Sequence, residues 1–273
     1  MTPRVSVVMG VRDGAPWVGE AVRSVLVQTL GDLELIVVDD GSTDATPDVL
    51  AAIEDPRLRV ERQAPEGLTR ALNRALALAR ADLVARLDAD DVGLPQRLAR
   101  QHAFLAAHAA VGLLGTAARE VDAAGREVRV LRPPEDDAAL RRLLIRRNPF
   151  VHSSVMVRRA LLERVGGYDA RLAVAQDYDL WMRMAAVTRL ANLPEVLLIR
   201  RLVPGRVTAR RDSERLATEC RVRWRAVRAG TYPWWCAVFA VRPALALALP
   251  TLARRALRRR AHRDRPRSRS GKV

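Results

Sequence analysis

Lysine is almost absent from this chain. Of 47 basic residues among 273, 46 are arginine, and the single lysine is Lys272. Phosphate binding gives no reason to exclude lysine, because both side chains neutralise it. A composition rich in Ala, Arg, Gly and Pro points instead to a GC-rich coding sequence, so the formal net charge of +16 is weak support for a nucleic-acid binder. Cysteine is nearly as scarce. Cys220 and Cys236 are the only two, which excludes a disulfide scaffold and a Cys-based zinc module. Neither has a His or metal pattern around it, so both are expected to be inert. No basic-then-apolar leader precedes the first strand, and the expected compartment is the reducing cytoplasm. There is no GxxxxGK[ST] loop and no GxGxxG, which disfavours P-loop and dinucleotide folds.

What is present is a globular composition. Apolar residues make up 49% of the chain, too many for a disordered protein. The length supports a sizeable core without staples. Charge is uneven. From Val241 to Val273 there are eleven basic residues and one acidic residue, a net +10, which leaves +6 for the other 240.

Val5–Met9, Leu33–Val38, Leu58–Glu61 and Leu83–Leu87 read as strands. Between them, helical spacing appears in Trp17–Gln28 and in Leu68–Ala79, and Thr46-Pro47 reads as an N-cap followed by proline. Such alternation predicts βαβ units on a parallel sheet, an α/β fold. After Leu87 the rhythm loosens: helices are expected over 95–108, 138–146 and 176–186, and strands over 111–116 and 153–157.

Ligands in open α/β sheets bind beyond the carboxyl ends of the strands. Three polar clusters fall there: Gly10 to Gly14, Asp39-Asp40-Gly41-Ser42, and Asp88-Ala89-Asp90-Asp91. The second serves equally well as an ordinary turn closed by an Asx-type bond. The third is harder to read as a simple helix entry, because three carboxylates in four residues repel unless a cation neutralises them. Asp-x-Asp suits a hard divalent ion, Mg²⁺ or Mn²⁺, which takes its remaining ligands from water and phosphate. Asp88 and Asp90 are therefore expected to hold a metal-bridged diphosphate.

Several blocks in order resemble the family 2 glycosyltransferases: Val5–Met9, Val37–Asp44, Ala85–Asp91, Asn148–Ser154, Gly166–Asp169 and Ala175–Arg183. The resemblance covers roughly residues 4 to 200. It implies a GT-A-like, mostly parallel open sheet flanked by helices. It also implies a nucleotide-diphospho-sugar donor, a glycan or lipid-linked cell-envelope acceptor, and inversion at the transferred sugar. Carried over by position, the loop from Gly10 through Arg12 would line the base and ribose pocket, and Asp40, with Asp39 beside it, would contact the base. Arg70 would reach the nucleotide. Asp88 and Asp90 would hold the metal and diphosphate, and Asp177 would be the catalytic base. The family commonly has Pro-Val-Tyr-Asn where this chain has Gly10-Val11-Arg12-Asp13, so the Arg12 guanidinium would stand in for an aromatic platform. His152, Trp181 and Arg183 are candidate acceptor or sugar contacts. Each also has a plain structural role: loop orientation, core packing and ion pairing. The alternatives are a metal-dependent nucleotidyltransferase, a non-enzymatic Arg-rich nucleic-acid binder and a catalytically dead sugar-binding homologue.

The expected organisation is a catalytic domain over residues 1–205 and a helical, Arg-rich segment over 206–273. Tyr232 to Val241 is apolar, but Arg242, Pro243 and Pro250 interrupt it. A span needs about 20 largely apolar residues. The segment is expected to lie on the cytoplasmic face of the membrane instead, with Arg254 to Arg260 near anionic lipid.

Overall fold

The computed structural model describes residues 2–203 and 211–248. A nine-stranded sheet runs in the order β3-β2-β1-β4-β8-β6-β9-β5, with β7 paired on β6. Its first half is parallel: β1 (Val5–Val11), β2 (Leu33–Asp39), β3 (Leu58–Arg62) and β4 (Leu83–Arg86). These strands are joined by α1 (Ala15–Leu26), α2 (Thr46–Ala51) and α3 (Leu68–Leu78). The expected βαβ alternation is present. Thr46 is not the cap of α2, however. It sits inside the helix, where its hydroxyl bonds Asp44 and accepts from the Gly14 amide at 2.9 Å, tying the first two loops together.

The second half is mixed. β5 (Val92–Gly93), α4 (Arg97–Ala107), β6 (Val111–Val121), β7 (Glu127–Leu131) and α5 (Asp137–Leu144) follow. A single 3-10 turn, His152–Ser154, then leads into β8 (Met156–Arg158), so the strand expected over 153–157 is half turn. α6 (Arg159–Val165), α7 (Gln176–Ala185) and β9 (Arg189–Arg201) complete the sheet. β9 pairs with β6 in parallel, with register shifts around Thr116–Ala118.

Strand alternation divides the core in two. Val8, Ile36, Val38 and Val84 face α3, α5 and α7, while Val5, Val7, Met9, Leu35 and Val37 face α1 and α4. The order of the parallel strands reverses beside β1, where β2 lies on one side and β4 on the other. That reversal opens a crevice at the carboxyl ends of the strands.

Past the undescribed residues 204–210, α8 (Asp212–Arg228) crosses α7, and a turn at Trp234–Ala237 leads into α9 (Val238–Ala248). Val222, Ala226, Tyr232 and Cys236 join the same core cluster as Leu144, Tyr178 and Trp181. The expected boundary near residue 205 therefore does not separate α8 from the core. Arg223 is buried and fastens this contact. It donates to the carbonyls of Ile145 (3.0 Å) and Arg146 (2.9 Å) and to the Tyr178 hydroxyl (3.0 Å). Residues 249–273, which include Arg254 to Arg260, lie outside the described residues. Among those described, no helix is long and apolar enough to cross a membrane.

Arg223→Ala strips a buried charged donor from two carbonyls, at an expected cost of about 3 kcal/mol. At about 2–4 °C per kcal/mol for a chain of this size, melting should fall by about 6–12 °C. An unchanged melting temperature would show that α8 lies outside the cooperative unit.

Candidate active site

The crevice holds a cavity of about 920 Å³ whose lining includes Arg12, Asp40, Asp88, Asp90, His152 and Asp177. The first two strand ends are locked together before they reach it. The Asp13 amide donates to Ser42 Oγ at 3.0 Å, and Asp13 Oδ1 accepts from the Thr43 amide at 2.8 Å. Asp13 sits at φ 50°, in the left-handed region, where a non-glycine residue is strained. Arg12 follows β1 into the cavity, half exposed and 3.9 Å from Asp13.

Asp40 spends its carboxylate on the loop before α3. It accepts from Gln63 Nε2 and from the amides of Glu66 and Gly67, all at 2.8 Å. Asp39, its neighbour, turns the other way. Its Oδ1 accepts from the Ser42 amide at 2.9 Å, an Asx-type turn, and it does not line the cavity. Gly10 does not line it either. A Cβ there would meet Leu68 Cδ1 at 2.9 Å, so this glycine lets α3 pack against β1. Arg70 lies outside the lining, exposed and 3.9 Å from Glu66.

The acidic cluster stands at the end of β4. Asp88, Asp90 and Asp91 bring ligand oxygens within 4.8 Å of one another. Arg86, buried in β4, pairs with Asp88 and donates to Ser153 Oγ at 2.9 Å. Ser153 in turn donates to Asp88 Oδ2 at 2.7 Å. Burial alone would raise the Asp88 carboxyl, but the Arg86 charge and hydrogen bond, with Ser153 and His152, hold it well below the usual carboxylate range. Asp91 behaves oppositely. Burial first, then Asp88 and Asp90, push it up to about 7. Its Oδ1 accepts from the Arg201 amide at 2.9 Å, while Oδ2 is buried with no hydrogen-bond partner among the described residues. Crowded carboxylate oxygens, one of them buried and unpartnered, form the donor set a hard divalent ion takes. The residues therefore fit Mg²⁺ or Mn²⁺, and Asp91 joins the expected pair.

Asp177 lines the same cavity from the first turn of α7. Ala175, the residue before the helix, is at φ 56° and aims that turn. The Tyr178 amide donates to Asp177 Oδ1 at 2.8 Å, and Asn148 Nδ2 donates to Oδ2 at 2.7 Å. Burial raises the Asp177 carboxyl despite these bonds and the charge of Arg86. His152 bonds the Tyr168 hydroxyl at 2.7 Å, and burial together with Arg86 pushes its pKa well below the ordinary value, so it is neutral.

Two expected contacts are corrected. Trp181 is 1% exposed and packs edge-on to Phe150 and His152 inside the core, so it forms no cavity wall. Arg183 pairs with Asp179 at 2.9 Å and closes the end of α6 through the carbonyls of Val165 and Gly167. Arg86, Ser153 and Asn148 are not among the site residues the sequence points to. A charged residue inside the apolar run Leu83-Val84-Ala85-Arg86-Leu87 was a visible signal for the first.

The model of glycosyl transferase family 2 matches residues 6–166. The chain belongs to this family. EpsE of Bacillus subtilis (strain 168) is 32% identical over 188 residues, which is 66% of this chain and 66% of its own length. The amylovoran biosynthesis glycosyltransferase AmsE of Erwinia amylovora is 32% identical over 204 residues, 73% of this chain and 76% of its own. Among solved structures, S. aureus TarS in complex with UDP-GlcNAc is similar with TM-score 0.66 and 21% identity, over 81% of this chain and 66% of its own. The mannosyltransferase PcManGT of Pyrobaculum calidifontis, in complex with GDP-Man and Mn²⁺, gives TM-score 0.63 and 23% identity over 96% and 80%. The sheet is that of the GT-A glycosyltransferases.

Because the folded Asp91 carboxyl lies above its ordinary value of 3.8, ionising it opposes folding. The penalty grows as pH rises from that value through about 7. In chelator, Asp91→Asn should raise the melting temperature by several degrees at pH 8 and by clearly less at pH 5. An equal effect at both pH values would contradict this.

Proposed function

We propose that the chain is an inverting glycosyltransferase. It moves a sugar from a nucleotide-diphospho-sugar to a hydroxyl of a glycan or lipid-linked cell-envelope acceptor. The observation that carries this is the single cavity lined by both Asp88/Asp90 and Asp177. A transfer needs two acidic sites with different tasks: one to meet a diphosphate through a cation, one to take a proton. The environments of the carboxylates differ accordingly, Asp88 held low by Arg86 and Asp177 raised by burial.

The acceptor hydroxyl is a poor nucleophile. Asp177, oriented by Asn148 and the Tyr178 amide, takes its proton as the oxygen attacks the anomeric carbon. The pair of bonds on Asp177 fixes the carboxylate plane, and the raised pKa strengthens it as a base. Asp88, Asp90 and Asp91 would hold Mg²⁺ or Mn²⁺, which supplies charge stabilisation to the leaving diphosphate. Arg86 keeps Asp88 ionised beneath it. Asp40 shapes the loop at residues 63–67 that borders the nucleotide end, and Arg12 faces the same space. Neutral His152 and Tyr168 hold the 3-10 turn that carries Ser153. Similar proteins favour this direction: AmsE is named for amylovoran biosynthesis, WbnJ of Escherichia coli for O-antigen biosynthesis, and the TarS and PcManGT structures hold nucleotide sugars. The enzyme would work at the cytoplasmic face of the membrane, with the Arg-rich residues 249–273 toward anionic lipid.

Nucleotide sugars screened by thermal shift with and without Mn²⁺ identify the donor, since a bound ligand raises apparent stability. Asp177→Asn should keep that shift and lower kcat by about 10²–10⁴-fold. Loss of the shift as well would make Asp177 structural. In the native enzyme, activity should fall as pH drops through the Asp177 pKa, which burial raises. Asp90→Ala should abolish Mn²⁺-dependent transfer, and full activity would remove Asp90 from the metal site.

A further inference from the structure

The large apolar side chains that the fold leaves in solvent are concentrated at its C-terminal end. Trp224, Trp234, Trp235, Val238, Val241 and Leu245 are all at least 48% exposed, and Trp234 reaches 83%. They fall within 22 residues, on α8, the turn after it and α9, elements that pack together. α9 is apolar on two sides. Phe239 and Ala240 turn toward the core, whereas Val238, Val241 and Leu245, spaced i, i+3, i+7, form a second stripe that faces outward. A surface helix with a second, outward stripe of large apolar side chains is one that buries that stripe against something else. On α8, Arg221, Trp224 and Arg228 share one exposed face at the same spacing.

We infer that this face docks on an anionic bilayer surface, and that the acceptor is presented from that surface. The occupant follows from chemistry. Exposed tryptophans, with Trp224 between Arg221 and Arg228 on one face of α8, suit the headgroup level of a membrane. Residues 249–273 follow α9 in sequence and carry ten basic residues and one acidic residue, which complements anionic lipid and opposes a second copy of the same charge. α8 joins this face to the cavity. Arg215 and Glu219 line the cavity, and Trp224 lies nine residues beyond Arg215 on the same helix, about 14 Å at 1.5 Å per residue. A sugar carried on a lipid headgroup would lie within that reach of the cleft. The inference deepens the membrane location proposed above and rests on it.

The test uses the full chain and vesicles of phosphatidylcholine with or without phosphatidylglycerol. Native protein should co-sediment with phosphatidylglycerol vesicles, and Trp234→Ser/Trp235→Ser/Val241→Ser should lose at least tenfold in bound fraction with its arginines intact. All three sites are exposed, so the melting temperature should be unchanged. Vesicle binding by the triple variant equal to native would overturn the inference, leaving the basic tail as the anchor. A native dimer that the variant converts to monomers, without vesicle binding by either, would also overturn it. The thermal shift with nucleotide sugar and Mn²⁺, measured without lipid, should be the same in both proteins. Its absence from both would count against the transferase reading and leave the vesicle result standing.

Discussion

Three carboxylates within 4.8 Å cannot all stay ionised in a crevice without positive charge beside them. The site is arranged around that constraint. Arg86 is buried in β4 and pairs with Asp88, so one carboxylate is neutralised by the fold itself. Asp91 has no such partner and is pushed up to about 7. In the proposed reading a divalent ion would add positive charge at this cluster and bring open coordination positions for a diphosphate. Placement follows from topology, because the strand order reverses beside β1 and leaves the ends of β1 and β4 facing one opening.

The proposed base answers a different need. A base must be ionised to work and yet basic enough to accept a proton. Burial would give Asp177 the second property, and two hydrogen bonds with the charge of Arg86 the first. Its position depends on the first turn of α7, and therefore on Ala175 in the left-handed region and on α8, which packs across α7. α8 is thus part of what holds Asp177, the proposed base. Arg223 on α8 reaches the hydroxyl of Tyr178, the residue next to Asp177.

Much of this is legible in the sequence. β1 to β4 are short β-branched runs separated by helical periodicity, and the acidic cluster falls at the end of one of them. Other features were not legible, for physical reasons. β9 contains five charged or proline positions, Pro194 among them, in its thirteen residues, so no alternating pattern marks it as a strand. Its pairing with β6 is long-range. Trp181, a candidate acceptor or sugar contact with core packing as its alternative, sits four residues after Asp177 on α7. Asp177 stands at the helix tip and opens into the cavity, whereas Trp181 lies one turn deeper, inside the core. Asp39 and Asp40 are adjacent, and adjacent residues at a strand end point to opposite sides. Only Asp40 reaches the cavity. Gly10 fell in a loop motif by position, but its lack of a side chain serves packing against Leu68.

The most direct test is Mn²⁺ binding followed by electron paramagnetic resonance, with and without a nucleoside diphosphate. One high-affinity Mn²⁺ per chain is predicted, tightened by the diphosphate and lost in Asp90→Asn/Asp91→Asn. Binding of the diphosphate that is indifferent to Mn²⁺, or Mn²⁺ binding that survives both substitutions, would contradict the account.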